Sequence, residues 1–179
     1  APAQAQRNTA ALGNAWYINN IKIVNTADEE IDALNIIDPL GTAAIHQEFK
    51  NYVAGIPENQ KNGTIKLTSY KPNELVYQST GNSEQLAVFS EVWYGPDKGW
   101  NAYIDGKKVE HIRVNYILRA LKVPAGNHEI KFVFEPSSAK TGNLISMITS
   151  GILILLLLFY LFRVFKEGWE GAEISFGDK

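Results

Sequence analysis

Residues 116–135 read YILRALKVPAGNHEIKFVFE, and this stretch sets the fold class. In its second half Ile130, Phe132 and Phe134 alternate with Glu129, Lys131 and Glu135, the two-residue period of a strand with one dry and one wet face. Residues 116–123 form a second apolar run, and Pro124-Ala125-Gly126-Asn127 between them predicts a hairpin. Just upstream, residues 100–104 and 107–109 flank Asp105-Gly106, a pair that tolerates the positive φ of a type I′ turn. Residues 86–94 are apolar on both faces apart from Ser90 and Glu91, as expected of a central strand. Earlier, Ile65 and Leu67 alternate with Lys66 and Thr68, and Leu75 and Tyr77 follow. Strand signals recurring about every ten residues predict an antiparallel β-sandwich of the jelly-roll or immunoglobulin-like kind.

The flanks complete the organisation. Residues 1–12 read as an entry linker, and 13–136 as the β domain. Within that domain 16–24 lean to strand. Thr26 and Glu29 make a capping box for a short helix with Ile31 and Leu34 inward, closed by Asp38-Pro39, and 43–49 read as a strand. Residues 137–143 are a polar linker, 144–165 a single transmembrane helix and 166–179 a short tail. The apolar run carries no charge before Arg163, and about twenty residues at about 1.5 Å each cross about 30 Å of hydrocarbon. Arg163 and Lys166 after the span, against Lys140 before it, favour a cytoplasmic tail and an extracytoplasmic β domain. The opening Ala1-Pro2-Ala3-Gln4, without an initiator Met or a signal region, reads as a processed chain or as an excised part of something longer, and the second is favoured.

Composition narrows the chemistry. With 17 Lys+Arg, 19 Asp+Glu and a net charge of −2, the chain has no basic stripe for nucleic acid. It has no cysteine, so a thiol nucleophile, a disulfide framework and Cys-ligated zinc are excluded. His46, His111 and His128 are far apart and fall in no metal-binding motif; no hydrolase elbow, phosphate loop or dinucleotide loop occurs either. No catalytic residue, metal or cofactor is assigned. The acidic group Asp28, Glu29, Glu30 and Asp32 reads as a solvated first helical turn rather than a glycosidase pair, because acids are favoured at that end of the helix dipole. Trp93, Tyr94, Trp100 and Tyr103 surround residues 95–99 and are the candidate glycan-binding residues, weighed against a plain core role. Glu91, Arg113 and Arg119 are charges within apolar strands; Glu91 and Arg119 form the candidate structural ion pair. Asn62-Gly63-Thr64 matches a glycosylation acceptor and is better explained as a turn.

Three blocks in order carry a family resemblance. They are residues 13–18 (GNAWYI); residues 88–94 (VFSEVWY) with Gly99-Trp100 and 102–106 (AYIDG); and residues 115–120 (NYILRA) with 123–130 (VPAGNHEI) and 134–136 (FEP). Followed by a span, they resemble the C-terminal region of bacterial YfhO-type membrane proteins, closest to the Bacteroidetes forms. The resemblance implies a large polytopic protein of the GT-C kind, a glycosyltransferase using lipid-linked sugars to decorate cell-envelope polymers. It places this chain's β domain on the periplasmic side of the inner membrane, as an accessory or glycan-binding part. The implied partners are the lipid bilayer, upstream transmembrane helices, and envelope glycan or lipid-linked sugar. The acids that do the chemistry in such proteins lie near the N-terminus of the whole protein, so the resemblance assigns no catalytic residue here. The alternative is a single-span anchored binding or scaffold module without enzymatic activity.

Overall fold

This computed structural model describes residues 8, 11–59 and 62–176. The chain runs through β1 (Ala15–Tyr17), β2 (Asn20–Val24), α1 (Ala27–Leu34), β3 (Thr42–His46) and the one-turn α2 (Lys50–Val53). Next come β4 (Thr64–Lys71), β5 (Glu74–Gly81), β6 (Gln85–Val92), β7 (Trp100–Ile104), β8 (Lys107–Val109), β9 (Ile112–Val114), β10 (Leu118–Val123) and β11 (Gly126–Phe134). The last element is α3 (Ser137–Phe176). Contacts divide the chain into two units, Ala1–Glu135 and Pro136–Lys179.

In the first unit the strands form mainly antiparallel sheets, as the alternation predicts. One sheet has the order β4-β5-β11-β7-β8, another β1-β6-β10-β9. Between them lies a core of Leu75, Tyr77, Phe89, Leu121, Ile130 and Phe132, whose rings meet edge to face: Tyr77 and Phe89 at 4.9 Å, Phe89 and Phe132 at 4.9 Å. The β7–β8 turn is the expected one, with Asp105 at φ +50° and Gly106 at +77°. Strand β6 is central, between β1 and β10. Its residues 85–89 are buried without a break because its sheet is covered on both faces. The second face packs Trp16, Leu86, Val88, Ile112 and Ala120 against Ala43, Ile45 and Val53.

Four expectations are corrected. The stretch 116–135 is not a hairpin. Strand β10 pairs with β6 and β9, while β11 pairs with β5 and β7, so the 124–125 connection passes from one sheet to the other. Alternation fixes which side chains point inward but not which strand is the neighbour. The run 16–24 splits into two strands in different sheets, and β2 pairs with β3 in parallel across α1. In α1 Thr26 Oγ1 does accept from Glu29 N at 3.1 Å, but the inward face is Glu30 and Ala33. Ile31 and Leu34 are exposed, and the acidic group is not wholly solvated, since Glu30 is fully buried.

Glu30 survives there because its partners are complete. Arg113 Nη1 donates to its Oε2 at 2.9 Å, and the Tyr116 N–H donates to its Oε1 at 2.9 Å. Asn115 and Tyr116 both hold positive φ, +49° and +71°. Asn115 N donates to Ala44 O at 2.8 Å, and its Oδ1 accepts from Ala44 N at 2.8 Å. One buried carboxylate thus ties α1, β3 and the 115–117 loop together.

In the second unit the polar residues 137–143 are the first turns of α3. Residues 137–166 of this helix are long and apolar enough to cross a membrane.

Removing Arg113 leaves the fully buried Glu30 carboxylate without its charge partner, so Arg113→Ala is expected to cost about 3–5 kcal/mol. The exposed Asp28→Ala should stay within about 0.5 kcal/mol. Thermal and denaturant unfolding of the full chain in detergent compares the two.

Candidate functional site

The bulge between Leu118 and Arg119 in β10 leaves Arg119 on the side of Leu121 and Val123, facing the space between the two main sheets. Its Nε donates to Val92 O at 2.9 Å. The guanidinium carbon lies 4.3 Å from the ring centre of Trp100 and 5.3 Å from that of Phe132. His111 stands 5.7 Å from the same Phe132 ring, and its Nε2 meets Tyr94 O at 3.3 Å. Among the described residues, Arg119 Nη1, His111 Nδ1 and Tyr77 Oη are buried without a hydrogen-bond partner, as is Trp93 Nε1. Each such group costs about 1–3 kcal/mol unless a small polar molecule satisfies it.

Electrostatics at this cluster follow from burial. Burial lowers the pKa of the Arg119 guanidinium, and the nearby Glu91 carboxylate opposes the shift. Burial raises the Tyr77 phenol, with Glu91 acting in the same direction. Burial lowers His111, which favours a neutral ring. Glu91 acts on Arg119 through space; the direct contacts of Arg119 are a carbonyl and two rings. The arrangement is a cation walled by aromatics with spare donors and an acceptor. It suits hydroxyl or anionic groups.

The four candidate glycan-binding aromatics do not share one surface. Tyr94 is half exposed. Trp93 packs edge-on against Phe49 at 6.2 Å. Trp100 lies beneath Arg119 and packs on Phe134 at 5.5 Å. Tyr103 is on the other face of β7, where its hydroxyl donates to Glu135 Oε2 at 2.6 Å beside the Asn101 amide at 3.0 Å. That hydrogen bond raises the Tyr103 pKa. Together with Glu129, Lys131 and Val133 it lines a separate hollow of about 160 Å³. The Glu30–Arg113 pair was missed by pattern reading, because partners 83 residues apart leave no local signal.

Residues 45–146 match the family model described as bacterial membrane protein YfhO. The chain belongs to the YfhO family. No curated protein and no solved structure matches it. The match runs from β3 into the start of α3, so Arg113, Arg119, Trp100 and Phe132 of this YfhO domain fall inside it, while Glu30 falls before it.

The three histidines of the YfhO domain are scattered, and no group of three or more metal-ligating side chains occurs among the described residues. His128 is fixed by its neighbours: Nδ1 lies 2.6 Å from Asp105 Oδ2, and Nε2 lies 3.1 Å from Ala125 O. Asp105 Oδ1 also accepts from Glu129 N at 3.0 Å, so the pair links the β7–β8 turn to the start of β11. Two acceptors facing one ring favour imidazolium.

The Asp105 contact raises the His128 pKa, and the His128 contact lowers that of Asp105. A raised histidine stabilises fully below its unfolded value of about 6.5 and loses that contribution as pH climbs through the raised folded value. A lowered aspartate stabilises above its unfolded value of about 3.9 and loses that contribution as pH falls through the lowered one. The thermal midpoint of the full chain in detergent should therefore drop as pH rises from about 7 to about 9, above the range in which the lowered His111 acts in the opposite sense. His128→Gln should flatten that drop.

Proposed function

We propose that this YfhO-family chain is the extracytoplasmic β domain and a membrane helix of a larger polytopic glycosyltransferase that uses lipid-linked sugars, and that the chain itself is a non-catalytic part. Family membership, with an apolar helix starting three residues after the last strand, is the observation that carries this reading. Residues 13–136 form the periplasmic domain, 144–165 the span in the inner membrane and 166–179 a cytoplasmic tail, in keeping with Arg163 and Lys166 beyond the apolar run. The domain covers the membrane-embedded site or holds envelope glycan.

Glycan contact falls to the half-exposed Tyr94, whose carbonyl meets the His111 ring beside the Arg119–Trp100 cluster. An exposed tyrosine there can stack on the apolar face of a sugar. Tyr103 contributes only through its separate hollow on the opposite face of β7. The alternative, a single-span anchored binding module, is favoured by the domain having its own closed core. The open reading frame upstream of Ala1 separates the two readings. Further apolar spans with an acid in the first outer loop support the transferase part, and a signal peptide alone supports the anchored module.

Orientation is tested with the cysteine-free chain. A thiol introduced by Lys98→Cys, at an exposed site, should react with a membrane-impermeant maleimide in cells whose outer membrane alone is opened. Labelling only after lysis of the inner membrane would reverse the topology. For glycan contact, Tyr94→Ala should weaken retention of envelope oligosaccharide while leaving the thermal midpoint unchanged. Trp100→Ala should instead destabilise by about 3 kcal/mol, near the lower end for a packed aromatic.

A further inference from the structure

The strand ends give the first unit an apolar end and a polar one. At one end of the five-stranded sheet, Lys71 lies opposite Glu74, Glu74 opposite Val133 and Trp100 opposite Phe134. The other main sheet ends alongside, because Arg119 stacks on Trp100 and bonds to Val92 O, while Val92 lies opposite Leu118. Tyr70, Val92, Tyr94, Ile117 and Phe134 are exposed at this end, Tyr70 to 66%. At the far end stand the connections 81–84, 105–106 and 124–125, where Gly81 lies opposite Gly126, Ile104 opposite Lys107 and Gln85 opposite Val123. They hold Asn82, Ser83, Glu84 and Asp105 and no large apolar residue.

The chain leaves for the membrane from the apolar end. Strand β11 finishes at Phe134 and α3 begins at Ser137, so three residues at about 3.5 Å each keep the strand end within about 10 Å of the helix start. From Ser137 to Leu144, where the apolar run begins, seven helical residues rise about 10 Å. Chain length alone holds this end within about 20 Å of hydrocarbon. Along β11 the polar end lies about 25 Å from Phe134. Net charge does not account for the exposed rings, since Lys71 is met by Glu74 at 2.9 Å and Lys98 by Asp97 at 3.1 Å.

We propose that this apolar end of the β domain, centred on Tyr70 and Phe134, rests in the headgroup layer of the bilayer that α3 crosses. Aromatic rings favour that layer, and a tyrosine there buries its ring while its hydroxyl stays wet. With Lys71 and Lys98 already paired, the surface holds lipid through rings and not through net charge. Zwitterionic lipid therefore suffices, and salt, which screens exposed charges, has little effect. The proposal rests on α3 spanning the membrane; it is independent of the glycosyltransferase reading and of the side on which the domain stands.

The test uses the cysteine-free full chain in phosphatidylcholine nanodiscs, with one introduced thiol carrying an environment-sensitive fluorophore. Asn73→Cys, in the exposed β4–β5 turn, is compared with Asn127→Cys, exposed at the polar end, using lipid that bears a nitroxide on its headgroup. The label at 73 should be quenched severalfold more than the label at 127, to the same extent at low and high salt. Tyr70→Asp should lower the quenching at 73 severalfold, and unchanged near-ultraviolet dichroism confirms that the fold is kept. Leu155→Cys, read with a nitroxide deep in the acyl chains, reports the span separately. Quenching at 155 with equal quenching at 73 and 127 overturns the docking and keeps the span; no quenching at 155 removes both. Quenching at 73 that survives Tyr70→Asp, or that high salt abolishes, also overturns the proposal.

Discussion

The β1-β6-β10-β9 sheet must be dry on both faces, and most of the first unit follows from that requirement. Residues 85–89 of β6 are buried in unbroken succession, as are Arg119, Ala120 and Leu121 of β10. One face is covered by the five-stranded sheet, with Tyr77 and Phe132 meeting Phe89. The other needs its own cover, supplied by β3 and α2 through Ala43, Ile45 and Val53. Small residues at Ala43 and Ala44 let the β2–β3 pair lie between that sheet and α1, where Val24, Ala33 and Ala44 form a small core of their own.

That outer layer is thin in apolar contact, and polar bonds fix what packing leaves loose. Glu30 binds Arg113 and the Tyr116 N–H, while Asn115 closes a strand-like pair with Ala44. Burying a carboxylate costs several kcal/mol unless both of its oxygens are bonded, as they are here, so the site favours one geometry. The consequence reaches the surface. With Glu30 and Ala33 facing in, Ile31 and Leu34 must face out, beside the strained loop carrying Tyr116 and Ile117.

The second polar cluster lies at the opposite side of the same sheet. Arg119 stacks on Trp100 and Phe132, and among the described residues its Nη1, like His111 Nδ1 and the Tyr77 hydroxyl, is buried without a partner. A guanidinium is weakly hydrated and planar, which suits it to aromatic walls. Trp100 is committed to that stack, whereas Tyr94 is half exposed.

By itself the sequence determined what depends on local period and local turn chemistry. The alternation at 129–135 marked the core side of β11, Asp105-Gly106 specified a tight turn because both residues accept positive φ, and the uncharged run before Arg163 gave a membrane-length helix. The ordered blocks around Trp93, Asp105 and Pro124 were enough to point to the family. Tertiary structure decided whatever depends on partners distant in the chain. It put β10 and β11 in different sheets, because inward-facing residues such as Leu121 and Phe132 fill the same core from either side. It turned α1 so that an ion pair across 83 residues outweighed the burial of Ile31 and Leu34. It set Arg119 against rings, and it separated Tyr103 from Trp100 across a strand whose period is two. Periodicity records which face is dry, but the identity of what covers that face is a contact between distant residues.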